Sequence, residues 1–208
     1  DLRIVHAAWL PESLATLEAA VGENLIAQYR RYDDELVHAL QTASWYGDYL
    51  HEQAMHAEAL ENADMPPPPM PATAQYELAR SRLHPIRALT SGAEVIAPAP
   101  FYAGGRWRYT ARSAWWSDYR ERVPVLVGHY WRHWYPRDAD PTRENLMPPQ
   151  NNAWHGAAHN VFCIDYSVGA RWRDRKAGIA PARSEFRLAA MRWPERVLVF
   201  DDGEVAAT

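Results

Sequence analysis

Apolar residues fall along this chain in two periods. Val123-Pro124-Val125-Leu126-Val127 is apolar without alternation and stops at Gly128-His129. A short continuous run of this kind predicts a strand buried on both faces, and Gly128 lets the backbone turn or approach a neighbour closely. Residues 2 to 6, Leu2-Arg3-Ile4-Val5-His6, predict a second strand that also ends on a histidine. Between these strands the period is helical. Pro11-Glu12-Ser13 opens a helix, with proline where its missing N–H costs nothing and Glu12 complementing the helix dipole. Leu14, Leu17 and Val21 share one face of it, and Gly22 suits its C-terminal cap. From Leu25 to Asn62 the marks are Ile26, Tyr29, Leu36, Val37, Leu40, Trp45, Tyr49 and Leu60. Breaks are expected at Asp33-Asp34 and Gly47, giving two or three helices.

Met65 to Pro71 holds five prolines and predicts a stiff, extended connector. Thr73 then caps a helix through about Leu89, kinked at Pro85 and ended by Gly92. Phe101-Tyr102, a Gly104-Gly105 turn and Arg106 to Arg112 predict a hairpin. Its second arm places Trp107, Tyr109 and Ala111 on one face, and Arg106, Arg108, Thr110 and Arg112 on the other. Trp115-Trp116 is read as packing. Residues 132 to 158, rich in Pro, Asp and Asn, predict a long irregular loop of the kind that forms functional lids. Residues 160 to 167 give a strand with a turn behind it, and Arg171 to Lys176 a solvated basic loop before Gly178. Two strands, 186–193 and 196–200, close the chain around Pro194-Glu195, with Asp201-Asp202-Gly203 as a further turn. The expectation is one α/β domain over 1–208, with a helical insert at about 24–92, the proline-rich connector at 65–71, and a mixed β-sheet after it.

Composition narrows the function. The net charge of −4, from 22 basic and 26 acidic residues, argues against a dedicated nucleic-acid binder. No apolar run approaches a membrane span. The single cysteine, Cys163, excludes an internal disulfide and a cysteine-rich zinc site, sits among apolar neighbours as an inert thiol, and suits a cytoplasmic setting. His38, His51 and His56 are read as surface or half-buried helical residues.

The candidate chemistry lies at the strand ends. Ligands bind at the carboxyl edge of open α/β sheets, and imidazole is the commonest protein metal ligand. His6 and His129, each ending a strand, are therefore candidate ligands of one metal centre. Asp165 ends a third strand and is either an orienting carboxylate behind a ligand histidine or a turn cap. Arg108 and Arg112 offer guanidinium groups to an anionic substrate, or simply a solvated face. His155 and His159 have the spacing of a helical metal pair, so a one-metal hydrolase of His129, His155, His159 and Asp165 is a further reading. A non-catalytic binding module using the aromatic and arginine surface is another.

Ile4-Val5-His6-Ala7-Ala8-Trp9, followed by a proline-initiated helix, resembles the fourth signature block of calcineurin-like metallophosphoesterases. Val125-Leu126-Val127-Gly128-His129-Tyr130-Trp131 resembles their fifth, Gly-His block, with Trp131 where the Gly-His-x-His variant has its second histidine. Asn160 to Ser167 and Leu188 to Trp193 resemble the closing strands of the bacterial protein-phosphatase-like or diadenosine-tetraphosphatase-like branch. The resemblance implies the second half of a four-layer α/β/β/α sandwich. It implies two divalent ions (manganese, iron or zinc), with His6 and His129 as ligands. The substrate would be a phosphoprotein, a dinucleoside polyphosphate or a small phosphate ester. The Asp-x-His, Gly-Asp-x-x-Asp and Gly-Asn-His blocks, which carry the bridging aspartate and the catalytic histidine, do not occur in the sequence. The chain is thus expected to be the C-terminal half of such an enzyme, with no catalytic residue of its own.

Overall fold

The apolar run at 123–127 forms the central strand of a small parallel sheet. The computed structural model describes residues 1–134, 147 and 152–208. The chain is mixed α/β and divides into two compact units, one of residues 1–9 and 114–208, the other of residues 10–113. The sequence expects one domain with a helical insert at about 24–92; the second compact unit spans residues 10–113 and includes the hairpin.

In the first unit, β1 (Arg3–Ile4), β4 (Val125–Val127) and β5 (Val161–Cys163) lie in the order β1-β4-β5, all parallel. Every residue of β4 and β5 is buried, as an unbroken apolar run requires. A separate antiparallel meander follows, β6 (Ala189–Arg192), β7 (Val197–Phe200) and β8 (Val205–Ala207). Its third strand, three residues long, is absent from the sequence reading. The sheets are distinct rather than one mixed sheet. Leu126, Trp134, Phe162, Tyr166, Leu198 and Phe200 form the core, joining the parallel sheet to the meander. Each buried side chain of this size contributes about 1.5–3 kcal/mol. The expected basic loop at 171–176 is instead a short helix, α7 (Arg171–Lys176), held by the ion pair of Arg171 with Asp201. Most of the expected lid at 132–158 lies outside the described residues.

The second unit is helical with one hairpin: α1 (Pro11–Glu18), α2 (Leu25–Thr42), α3 (Tyr46–Met55), α4 (Ala57–Glu61), α5 (Pro71–Arg82), α6 (Pro85–Ser91), then β2 (Glu94–Ala103) and β3 (Arg106–Arg112). The hairpin turns at Gly104 and Gly105, both at positive φ, as a two-residue turn between twisted strands demands. Asp33-Asp34 does not break α2, and Asp33 on it pairs with Arg87 of α6 at 2.7 Å. Pro85 begins α6 rather than kinking one long helix. Thr73 is not the cap of α5; it is buried in the first turn, where the Glu52 carboxylate from α3 accepts from Ala72 N, Thr73 N and the Thr73 hydroxyl. The supposed arginine stripe is interrupted, since Thr110 is buried and its backbone and hydroxyl donate to Glu77.

α2 begins on Asn24, whose Oδ1 accepts from Ile26 N and Ala27 N at 3.0 and 3.1 Å. Asn24→Ala should cost about 1 kcal/mol in urea unfolding and Asn24→Asp much less, because aspartate keeps the accepting oxygen. Equal losses in the two variants would show that the cap carries no stability.

Candidate metal centre

Parallel pairing with no register slip brings the residues after β1, β4 and β5 to one rim. The register Ile4↔Leu126 and Val127↔Cys163 places His6 across from Gly128 and Asp165 across from His129. The rim is laced by backbone hydrogen bonds: Gly128 N donates to His6 O at 2.9 Å, Ile164 N to Val127 O at 2.8 Å and Arg132 N to Asp165 O at 2.9 Å. His6 and His129, far apart in sequence, have ring centroids 5.6 Å apart with planes tilted by 59°. His6 is exposed and His129 half-buried.

That spacing can be tested against ligation. A metal–nitrogen bond of about 2.1 Å, plus about 1.1 Å from nitrogen to ring centre, puts two imidazole centroids on one ion roughly 4.5–6.4 Å apart. The observed value falls inside this window, so the separation itself does not exclude a shared ion. Among the described residues, however, no group of three or more His, Cys, Asp or Glu is placed to hold a metal. Two imidazoles alone are fewer than the three protein ligands a metal site takes.

The backbone at this rim is strained. The left-handed turn falls on His129, at φ +67°, and again on Trp131, at φ +52°. It does not fall on Gly128, where an added Cβ would sit 3.4 Å from His6 O. Left-handed backbone in bulky residues persists only where surrounding structure holds it, and it clusters at ligand sites. One of the groups holding it is Trp115. Its indole N–H lies 3.2 Å from Ala7 O and 3.0 Å from Tyr130 OH, one residue beyond each histidine. Trp115 therefore ties together the residues that follow the two histidines. The sequence offered no signal for this beyond an aromatic pair.

The other candidates have contacts of their own. Asp165 Oδ1 accepts from Ser167 N at 2.9 Å, the turn-capping geometry. Arg108 and Arg112 belong to the other unit, on β3. His155 and His159 do not share a helix. His155 is buried, with its backbone bridged to Val161, and His159 sits exposed in the turn that follows. The one-metal reading built on that pair loses its geometry. Cys163 is fully buried and its thiol is pushed up to about 11 by that burial, which leaves it unreactive.

Comparison of the chain with known protein families, with curated proteins and with solved structures finds no match in any of the three.

Proposed function

We propose that the chain supplies His6 and His129 to a dinuclear metal centre that hydrolyses phosphate esters, within the second half of a calcineurin-like four-layer sandwich. The observation that carries the reading is the rim itself: two imidazoles 5.6 Å apart at the carboxyl edge of a parallel sheet. The exposure of His6 favours it over a binding module, which would bury and satisfy both rings. When bound, such ions supply a nucleophilic hydroxide near neutral pH and offset charge on the phosphoryl oxygens. In this reading His6 and His129 act as neutral donors. Gly128 N fixes the His6 backbone, and Trp115 holds both strand ends in place. In this reading the remaining ligands and the general acid would be those of the family's Asp-x-His, Gly-Asp-x-x-Asp and Gly-Asn-His blocks, which do not occur in this sequence. The substrate is phosphorylated, and the lone buried thiol of Cys163 suits the cytoplasm, where it stays reduced. No helix among the described residues is long and apolar enough to cross a membrane.

The chain should bind manganese weakly. Paramagnetic Mn²⁺ should broaden the His6 and His129 ring resonances before those of the other histidines. Either His→Ala change should weaken binding by more than about tenfold, the scale of losing even an outer-shell partner. Hydrolysis of p-nitrophenyl phosphate with manganese should not exceed the protein-free rate. Uniform broadening of all nine histidines would remove the metal reading. Turnover abolished by His129→Ala would show that the ligand set is complete after all.

A further inference from the structure

The proline run of the second unit is buried with a period of three. Pro67 and Met70 are buried, whereas Pro66 and Pro69, and likewise Pro68 and Pro71, are exposed. Ring closure holds each proline at a φ of about −65°, and a following proline keeps the residue before it extended. None of the peptide bonds in the run is cis. The outcome is a polyproline II helix, whose three residues per turn match the burial pattern. One edge, 67 and 70, faces inward, where Met70 joins Leu60, Ala74 and Tyr109 in a buried cluster. The other two edges, 66 with 69 and 68 with 71, present interleaved Pro-x-x-Pro pairs to solvent. Aromatic donors of the hairpin clamp the strap and its approach. The Tyr102 hydroxyl donates to Glu61 O at 2.9 Å, the Trp107 indole N–H to Asn62 O at 2.8 Å and the Tyr109 hydroxyl to Pro68 O at 3.0 Å. The Pro66 and Pro69 carbonyls accept no hydrogen bond among the described residues. Glu58, Glu61 and Asp64, all exposed, lead into the strap and make its entry acidic.

We propose that residues 66–71 are a preformed ligand for an aromatic-lined, basic-rimmed proline groove on a partner protein. The strap lies wholly in the second unit, and the inference stands apart from the metal-centre reading. Grooves of this class recognise Pro-x-x-Pro segments already wound as polyproline II. A three-sided helix meets a groove along two edges, and here the third edge is taken by the protein's own core. The unused carbonyls of Pro66 and Pro69 are acceptors for the indole N–H and phenol donors of such a groove. The hairpin clamp orders the strap before binding, so the ordering entropy of a free proline peptide is not lost on association. The acidic entry selects a groove with basic residues at its rim.

The test titrates the whole chain into ¹⁵N-labelled SH3, WW and EVH1 domains, each chosen for a basic groove rim. At least one domain should bind, with shifts confined to its groove, and free decaproline should displace the chain. Pro69→Ala should weaken that binding about tenfold, the scale of one proline ring taken from water. Near-ultraviolet circular dichroism of the variant keeps a loss of fold apart from a loss of contact. Asp64→Lys leaves every proline in place, and should weaken the same complex and reduce its salt dependence. If none of the three domains binds, the strap is a spacer only and the proposal falls. Binding that survives Pro69→Ala unchanged, or that decaproline does not displace, overturns it as well. An unaltered salt dependence in Asp64→Lys removes the basic rim from the assignment. Self-association in sedimentation equilibrium that Pro69→Ala abolishes would make the occupant a second copy of this chain and overturn the partner.

Discussion

Gly156→Ala is expected to destabilise the first unit by about 3 kcal/mol. Gly156 sits at φ +85°, and an added Cβ would lie 2.5 Å from Trp116 O and 3.3 Å from Trp116 C. No side-chain rotation relieves a clash with backbone. Left-handed backbone costs about 1–2 kcal/mol for a residue with Cβ, and forced overpacking a further 1–3 kcal/mol. Gly203→Ala is the matched control. Gly203 has φ +87° with nothing within 4 Å of its Cβ position, so that variant carries the strain and not the clash. Urea unfolding of the pair separates the two costs. A Gly156→Ala loss no larger than that of Gly203→Ala would mean the approach to Trp116 is not tight. The same carbonyl accepts from Tyr119 N at 3.3 Å, and Trp116 adjoins the Trp115 brace. The variant should therefore also blunt manganese broadening at His6 and His129.

Why this glycine escaped the sequence reading shows what sequence can carry. The strand ends at His6 and His129 were legible because their signal is local: a continuous apolar run cut short by a polar residue. The hairpin was legible because Gly104-Gly105 states its turn. Gly156 answers to a carbonyl in a distant segment, and nothing near it in sequence announces that neighbour. His155 and His159 were misread for a related reason. Their spacing means shared metal only on a helix, and Gly156 at φ +85° with His159 at φ +49° makes the segment a turn. Asp33-Asp34 resembled a stop because its partner, Arg87, lies on another helix. Thr73 resembled a cap because the true capping carboxylate, Glu52, arrives from α3. At Asp33 and Thr73 the local pattern is silent about a polar partner that another element brings. The Trp115 brace is the same kind of fact at the candidate site: one N–H reaching two groups that only the fold brings together.

His155 makes the second large prediction, a loss of stability in mild acid. Its ring is buried, and Nε2 has no hydrogen-bond partner among the described residues. Burial, then the charges of Arg132 and His159, push it down to about 4. The folded state thus keeps the ring neutral, while the unfolded chain takes up a proton near pH 6.5. Stability is intact above pH 6.5 and falls as the pH drops through the window to 4. The loss is about 2 kcal/mol by pH 5 and about 3 kcal/mol once both states are protonated. His84, fully buried in the other unit and also lowered by burial, acts in the same direction. The comparison that isolates His155 is therefore between wild type and His155→Leu. Leucine of similar size removes the orphaned nitrogen, so it should leave stability nearly unchanged at pH 7 and flatten the urea midpoint between pH 6.5 and 4. An unchanged slope in His155→Leu would place the acid sensitivity elsewhere. The same arithmetic fixes where metal binding can be measured. Well above pH 6.5 this ring is neutral whether the chain is folded or not, so its protonation adds nothing to a lost manganese signal.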